Sequence, residues 1–121
     1  MVRRYQDLIA WQTAEMFTAE IHRLVAESPD ATRDFKFRAQ ILEASRAIPG
    51  HIVEGFLRYS PREFMRFLDY AVSSLGEAES RLESGIKANY FSATACSPAF
   101  RLARRCFTAT LRLKQSQKRF L

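Results

Sequence analysis

Glycine and proline are scarce in this chain, four of each in 121 residues. An all-β sandwich or barrel needs turn residues at roughly 8–12-residue intervals, so their scarcity argues against that class and for long helices. Cysteine is nearly absent too. Cys96 and Cys106 are too few for a disulfide framework, and with only His22 and His51 beside them they fit no zinc spacing. Both are expected to be reduced thiols acting as small apolar side chains. No stretch approaches the ~20 apolar residues of a membrane span. The opening Met1-Val2-Arg3-Arg4-Tyr5-Gln6-Asp7 lacks the apolar centre of a signal peptide, so the expected location is cytoplasmic. Acidic residues stop at Glu83: everything after it carries eight Lys and Arg and no Asp or Glu.

Enzyme signatures are also missing. Di-iron bundles are built from paired Glu-x-x-His motifs, and none occurs; His51-Ile52-Val53-Glu54 has the reverse order and no second copy. There is no glycine-rich phosphate loop and no Gly-x-Ser-x-Gly nucleophile. The reading is of a protein that is not an enzyme, with no cofactor, no metal and no small-molecule substrate. His51 is expected to bond to backbone freed by Pro49, and Glu54 and Glu77 to pair with arginines of neighbouring helices or subunits.

What is present is apolar periodicity of 3 and 4 residues, which predicts four helices in a single domain spanning residues 1–121. The first covers about Gln6 to Glu27, with Leu8, Trp11, Ala14, Phe17, Ile21, Leu24 and Val25 on one face, and Ser28-Pro29-Asp30 ends it. The second covers about Thr32 to Phe56 through Phe37, Ile41, Ala44, Ile48 and Ile52. Pro49-Gly50 predicts a kink or short break there, and Gly55 a left-handed cap. Ser60-Pro61-Arg62-Glu63 reads as a capping box for the third, whose stripe runs from Phe64 to Ile86. Ser97-Pro98 repeats that start signal for the fourth, which carries Leu102, Cys106, Ala109, Leu113 and Phe120. Short connections favour an antiparallel up-down-up-down four-helix bundle.

Asp7-Leu8-Ile9-Ala10-Trp11-Gln12, Gln40 through Gly55, and Arg58 through Glu79 resemble the small bacterial family of 23S rRNA intervening-sequence proteins. The chain departs from the family pattern at Leu42-Glu43, Ala47 and His51. The resemblance implies an all-α bundle assembled as a homopentameric ring. It is similar also to the accessory protein of diversity-generating retroelements, which works with a reverse transcriptase and RNA. Most of the family has no assigned activity, and its name reflects the location of some of its genes.

Charge supplies an independent reading. Residues through Glu83 balance to −2 and the remainder carries +8, which gives the net +6. At ~100° per residue, Arg101, Arg105, Arg112 and Arg119 fall within about 40° of one another on the fourth helix. Such a stripe can follow phosphates, or it can be a solvated face whose last-turn cations complement the helix dipole. Bundle topology adds Arg3, Arg4, Arg58, Arg62, Arg66, Lys114 and Lys118 to the same pole as Arg119. The expected nucleic-acid contacts are therefore Arg101, Arg105, Arg112, Arg119, Lys118, Arg62 and Arg66, with RNA favoured over DNA. The alternative is a scaffold that meets an acidic protein. Phe35, Phe56, Phe91, Phe100 and Phe107 lie off the predicted stripes and several of them are expected between subunits, unless the assigned registers are displaced by a turn.

Overall fold

The computed structural model describes residues 2–121. Among these residues the regular structure is all helical: α1 (Ile9–Glu27), α2 (Pro29–Arg33), α3 (Phe35–Phe56), α4 (Pro61–Lys87) and α5 (Ala93–Gln117), with 3-10 turns at Tyr5–Asp7 and Lys118–Phe120. The four long helices pack in the cyclic order α1, α3, α4, α5, each against its two neighbours. Their apolar faces meet in one core that includes Phe17, Ile21, Ile41, Ile48, Leu68 and Leu75. The stripes read for the first three helices are buried faces, but the last is displaced. Helix α5 buries Cys96, Ala99, Ala103, Cys106 and Thr110, while Leu102, Ala109 and Leu113 of the expected stripe are only partly buried and Phe120 is exposed, because the small side chains are the ones that fit against the neighbouring helices.

The entry to the second long helix differs from the sequence reading. Ser28 ends α1 and also caps the short α2, its hydroxyl accepting from the Ala31 N–H at 3.2 Å. Asp34 then breaks α2 from α3 with non-helical dihedrals and accepts from the Phe37 N–H at 3.1 Å. The extra break arises because an aspartate side chain competes for backbone donors and so favours a cap over a helix interior.

Pro49 does not interrupt α3, which is continuous through it. A proline at this position leaves the carbonyl four residues earlier without its helical donor. That carbonyl belongs to Ser45, and the Thr18 hydroxyl of α1 donates to it at 2.8 Å. A neighbouring helix thus replaces the missing bond, and no break is needed to let water in.

Gly55 is inside the helix and not in a left-handed cap; no glycine has positive φ among the described residues. Its role is close approach. A Cβ there would stand 2.8 Å from both Phe64 Cδ1 and Phe67 Cβ, so α3 and α4 touch where the glycine removes a side chain. The left-handed position falls instead on Asn89 (φ 63°) after α4. The Tyr90 N–H returns to the Gly85 carbonyl at 2.8 Å and that of Asn89 to Ile86 at 3.0 Å, a Schellman closure.

The capping box of α4 forms by half. Ser60 accepts from the Glu63 N–H at 3.2 Å, while the Glu63 carboxylate turns to Arg66 at 2.9 Å. The start signal at Ser97-Pro98 is overridden: α5 begins after Ser92, which accepts from the Ala95 N–H at 3.0 Å, and Pro98 lies inside the helix. The carbonyl that Pro98 leaves unserved is that of the exposed Thr94, which water can satisfy.

Gly55→Ala should lower stability by about 1–3 kcal/mol through overpacking. Gly76→Ala, where a Cβ meets nothing within 4 Å, should raise it by about 0.5–1 kcal/mol. Urea denaturation of both variants separates a packing role from a conformational one. A second expectation concerns Asp34, which the Tyr90 hydroxyl binds at 2.6 Å, tying the α4–α5 connection to the start of α3. That bond first, and the Phe37 N–H second, hold the Asp34 carboxyl below its ordinary pKa. The stabilisation is therefore present above the ordinary carboxylate value and lost as pH falls through the lowered one. In Tyr90→Phe, an NMR titration should find the Asp34 pKa higher, and acid should remove less stability than in the parent.

Candidate nucleic-acid interface

Helix α5 buries a narrow seam of small side chains, Cys96, Ala99, Ala103, Cys106 and Thr110, against its neighbours. Most of its circumference faces outward in consequence. Arg101, Arg104, Arg105 and Arg112 are all exposed there. None has a carboxylate within ion-pair distance among the described residues.

Between α1 and α5 runs an open groove of about 330 Å³ lined by Ile9, Arg104, Arg105, Thr108, Ala109 and Arg112. It continues into a second depression of about 220 Å³ that shares Ile9, Ala109 and Arg112 and adds Leu8, Ala10 and Leu113. The groove exists because Ala109 is small and α1 has just begun at Ile9, whose side chain is 58% exposed. Three guanidinium groups around an apolar floor form a surface able to hold phosphate oxygens, with Arg suited to bidentate contact.

Of the residues named from the sequence, Arg105 and Arg112 line this groove. Arg101 is exposed on the same helix but does not line it. Arg119 departs from the projected stripe because α5 ends at Gln117 and the chain tightens into a 3-10 turn, where the spacing of an α-helix no longer applies. Its guanidinium lies 5.8 Å from the Phe120 ring. Lys118 is exposed beside it. Arg104 was not among the contacts expected from the sequence. It sits about 100° from Arg105, outside a single narrow stripe, but a groove has two walls. Treating the acid-free run from Arg101 to Arg112 as one surface would have included it.

The remaining cations gather at the same end. Tyr5 packs edge-on to Phe56 at 6.4 Å, and Phe56 to Phe64 at 6.2 Å. The N-terminal turn, the end of α3 and the start of α4 therefore adjoin, and the turn at Lys118–Phe120 packs on α4. Arg62 is exposed with no ion pair among the described residues. Arg66 is engaged by Glu63, and Lys114 by Asp69 at 2.7 Å across α4 and α5. At the other end Asp30 pairs with Arg33 at 2.5 Å and Glu27 with Arg23 at 2.6 Å, each within its own helix, while Asp34, Glu79 and Glu83 make no ion pair among the described residues.

Other expectations meet a different geometry. The freed carbonyl of Ser45 is served by Thr18, and among the described residues His51 makes no side-chain hydrogen bond to the backbone near Pro49. It packs near Tyr70 and Phe67, and its Nδ1 is buried without a hydrogen-bond partner. Glu54 makes no ion pair among the described residues, and Glu77 reaches Arg81 of its own helix at 4.0 Å. Phe91 belongs to the core, and Phe56 and Phe100 pack on it. Phe35 and Phe107 remain 76% and 44% exposed, so only two of the five off-stripe phenylalanines are free for an interface. The Cys96 and Cys106 thiols are free, and burial is the main cause that raises both pKa values. No three His, Cys, Asp or Glu residues among the described residues are grouped to hold a metal ion. Among the same residues, no helix is long and apolar enough to cross a membrane.

Residues 6–109 match the family model described as 23S rRNA-intervening sequence protein. No curated protein matches the chain. Among solved structures, it is similar to a protein of unknown function from the S23 ribosomal protein family of Bacteroides thetaiotaomicron. The two share a TM-score of 0.61 and 20% identity over 89% of this chain and 94% of the other, a likeness of fold.

Arg104 also faces Glu79 across α4 and α5. The Glu79 pKa is raised, by burial first and by Glu83 second, with Arg104 opposing both. In Arg104→Gln the Glu79 carboxyl should titrate at a still higher pH, an outcome that carbon-detected NMR of the side chain would read directly.

Proposed function

This chain belongs to the 23S rRNA-intervening sequence protein family, and from that premise we propose that it is a non-catalytic, cytoplasmic, self-assembling bundle that binds nucleic acid, RNA in preference to DNA. The observation that carries this reading is the set of exposed arginines on α5 with no carboxylate within ion-pair distance among the described residues, three of them around one groove. Arginines kept for stability alone would be expected to meet acids on the same or a neighbouring helix, as Arg23, Arg33 and Arg66 do. Those on α5 do not. Their contacts would be to phosphate oxygens, independent of base sequence, with affinity set largely by release of counterions.

Self-assembly rests on exposed apolar side chains that a lone bundle leaves to water, among them Met16, Phe107 and Leu111. The stoichiometry proposed is five, in a closed ring. Subunits of such a ring share one orientation, so the basic pole of each would be repeated as a basic rim. Symmetry would then raise the local potential well above that of one subunit.

A salt series with a labelled RNA tests the reading. The wild type should bind with affinity that falls steeply as salt rises. Changing Arg101, Arg105, Arg112 and Arg119 to glutamine should make the slope of log K against log salt shallower by roughly 3, at ~0.7 for each single-strand phosphate no longer neutralised. Absent binding, or a slope unchanged in the variant, would defeat the proposal and favour the scaffold reading.

A further inference from the structure

We infer that the connection between α3 and α4 carries a base-stacking platform, so that the nucleic acid this protein takes is single-stranded. The inference rests on the phosphate-contact reading above and adds to it the form of the partner.

Tyr59 stands in a short connection between two helices and is fully exposed, at 105% of its reference area. It has no aromatic neighbour and no side-chain hydrogen bond among the described residues, and so contributes nothing to the core. The connection is nevertheless held at both ends. The Leu57 N–H reaches Val53 and that of Arg58 reaches Gly55, each at 3.1 Å, and Ser60 caps α4 on the other side. A braced turn limits the cost of a stacked ligand to the ordering of the tyrosine side chain itself, because the backbone that carries it is already fixed.

The surroundings suit such a ligand. The Arg58 guanidinium lies 4.9 Å from the centroid of the Phe67 ring, and that of Arg66 lies 5.6 Å from the same ring and 6.0 Å from Tyr70. Arg58 is thus positioned by an aromatic ring and not by a carboxylate, and its charge stays available to an anion. Arg62 is exposed on the first turn of α4, and Tyr70 is 43% exposed beside Arg66. Arg66 is paired with Glu63, which leaves Arg58, next to Tyr59 in the chain, and Arg62 as the unpaired cations here among the described residues. Phosphate contact by such cations combined with ring stacking is what single strands use. A duplex hides its base faces and would gain nothing from Tyr59. The patch also lies at the end of the molecule where α5 finishes, since the turn at Lys118–Phe120 packs on α4.

The test compares three fluorescent probes at one salt concentration: oligouridylate, an abasic strand of equal length, and an RNA duplex of equal length. Tyr59→Ala should weaken oligouridylate binding by about tenfold, within the range seen for removal of one stacking side chain. It should leave the abasic strand and the duplex unchanged, and Tyr59→Phe should bind oligouridylate like the wild type. An equal effect on all three probes, or none on any, would overturn the inference while leaving the phosphate reading intact. Failure of the wild type to bind any probe would remove both. A change in sedimentation of Tyr59→Ala without a change in binding would assign the platform to contact between copies of the chain, and would also overturn the inference.

Discussion

The close approach of α3 to α4 at Gly55 governs the arrangement of one whole end of the molecule. With no Cβ at that position, Phe64 and Phe67 can lie directly against the helix backbone. Phe64 then meets Phe56, Phe56 meets Tyr5, and Tyr5 meets Trp11 at 5.4 Å, so a run of edge-to-face rings ties the N-terminal turn to α3, α4 and α1. Edge-to-face contacts of this kind add to the burial of the rings themselves. The same approach places Phe67 beneath Arg58 and Arg66. The aromatic core and the basic surface at this pole therefore share a single geometric cause.

The two prolines inside long helices show how environment decides the effect of a residue. Each removes one donor. Beneath Pro49 the orphaned carbonyl is buried, and α1 supplies a threonine hydroxyl at the right place, so the helix continues and gains a contact to its neighbour. Near Pro98 the orphaned carbonyl belongs to an exposed residue in the first turns of α5, where water suffices.

Charge and packing are linked in α5. Its buried face is made of alanine, cysteine and threonine, which lets it sit close to α1 and α4 and leaves most of its surface outside. That outside surface contains no acid. Elsewhere in the chain, arginine and glutamate three or four residues apart neutralise one another, and such exposed pairs contribute little to stability. On α5 only Lys114, which meets Asp69, and Arg104, which faces Glu79, have an acid of α4 opposite them; Arg101, Arg105 and Arg112 make no ion pair among the described residues, and an anionic partner could use their field. The likeness of fold to a protein of unknown function adds no activity to this picture.

The long helices and the buried stripes of the first three were legible from the spacing of apolar residues, because a helix repeats every 3.6 residues whatever it packs against; the stripe of the last was displaced, since its buried face is made of small side chains. So were the Ser60 cap and the concentration of positive charge after Glu83, since both depend only on residues near in sequence. Other features were not readable in this way. The uninterrupted path through Pro49 needs Thr18, 27 residues before Ser45. The requirement for glycine at position 55 comes from two rings on another helix, and the role of Arg104 from a groove whose other wall is α1. The start of α5 was placed too late, at Ser97-Pro98, a local signal that the helix capped by Ser92 runs through. Sequence by itself determined which faces are apolar and which segment is basic, because those are properties of composition and period. Only the tertiary structure decided which glycine, which carbonyl and which arginines meet a neighbour, because a contact is set by the distance between elements and not by the order of residues within one.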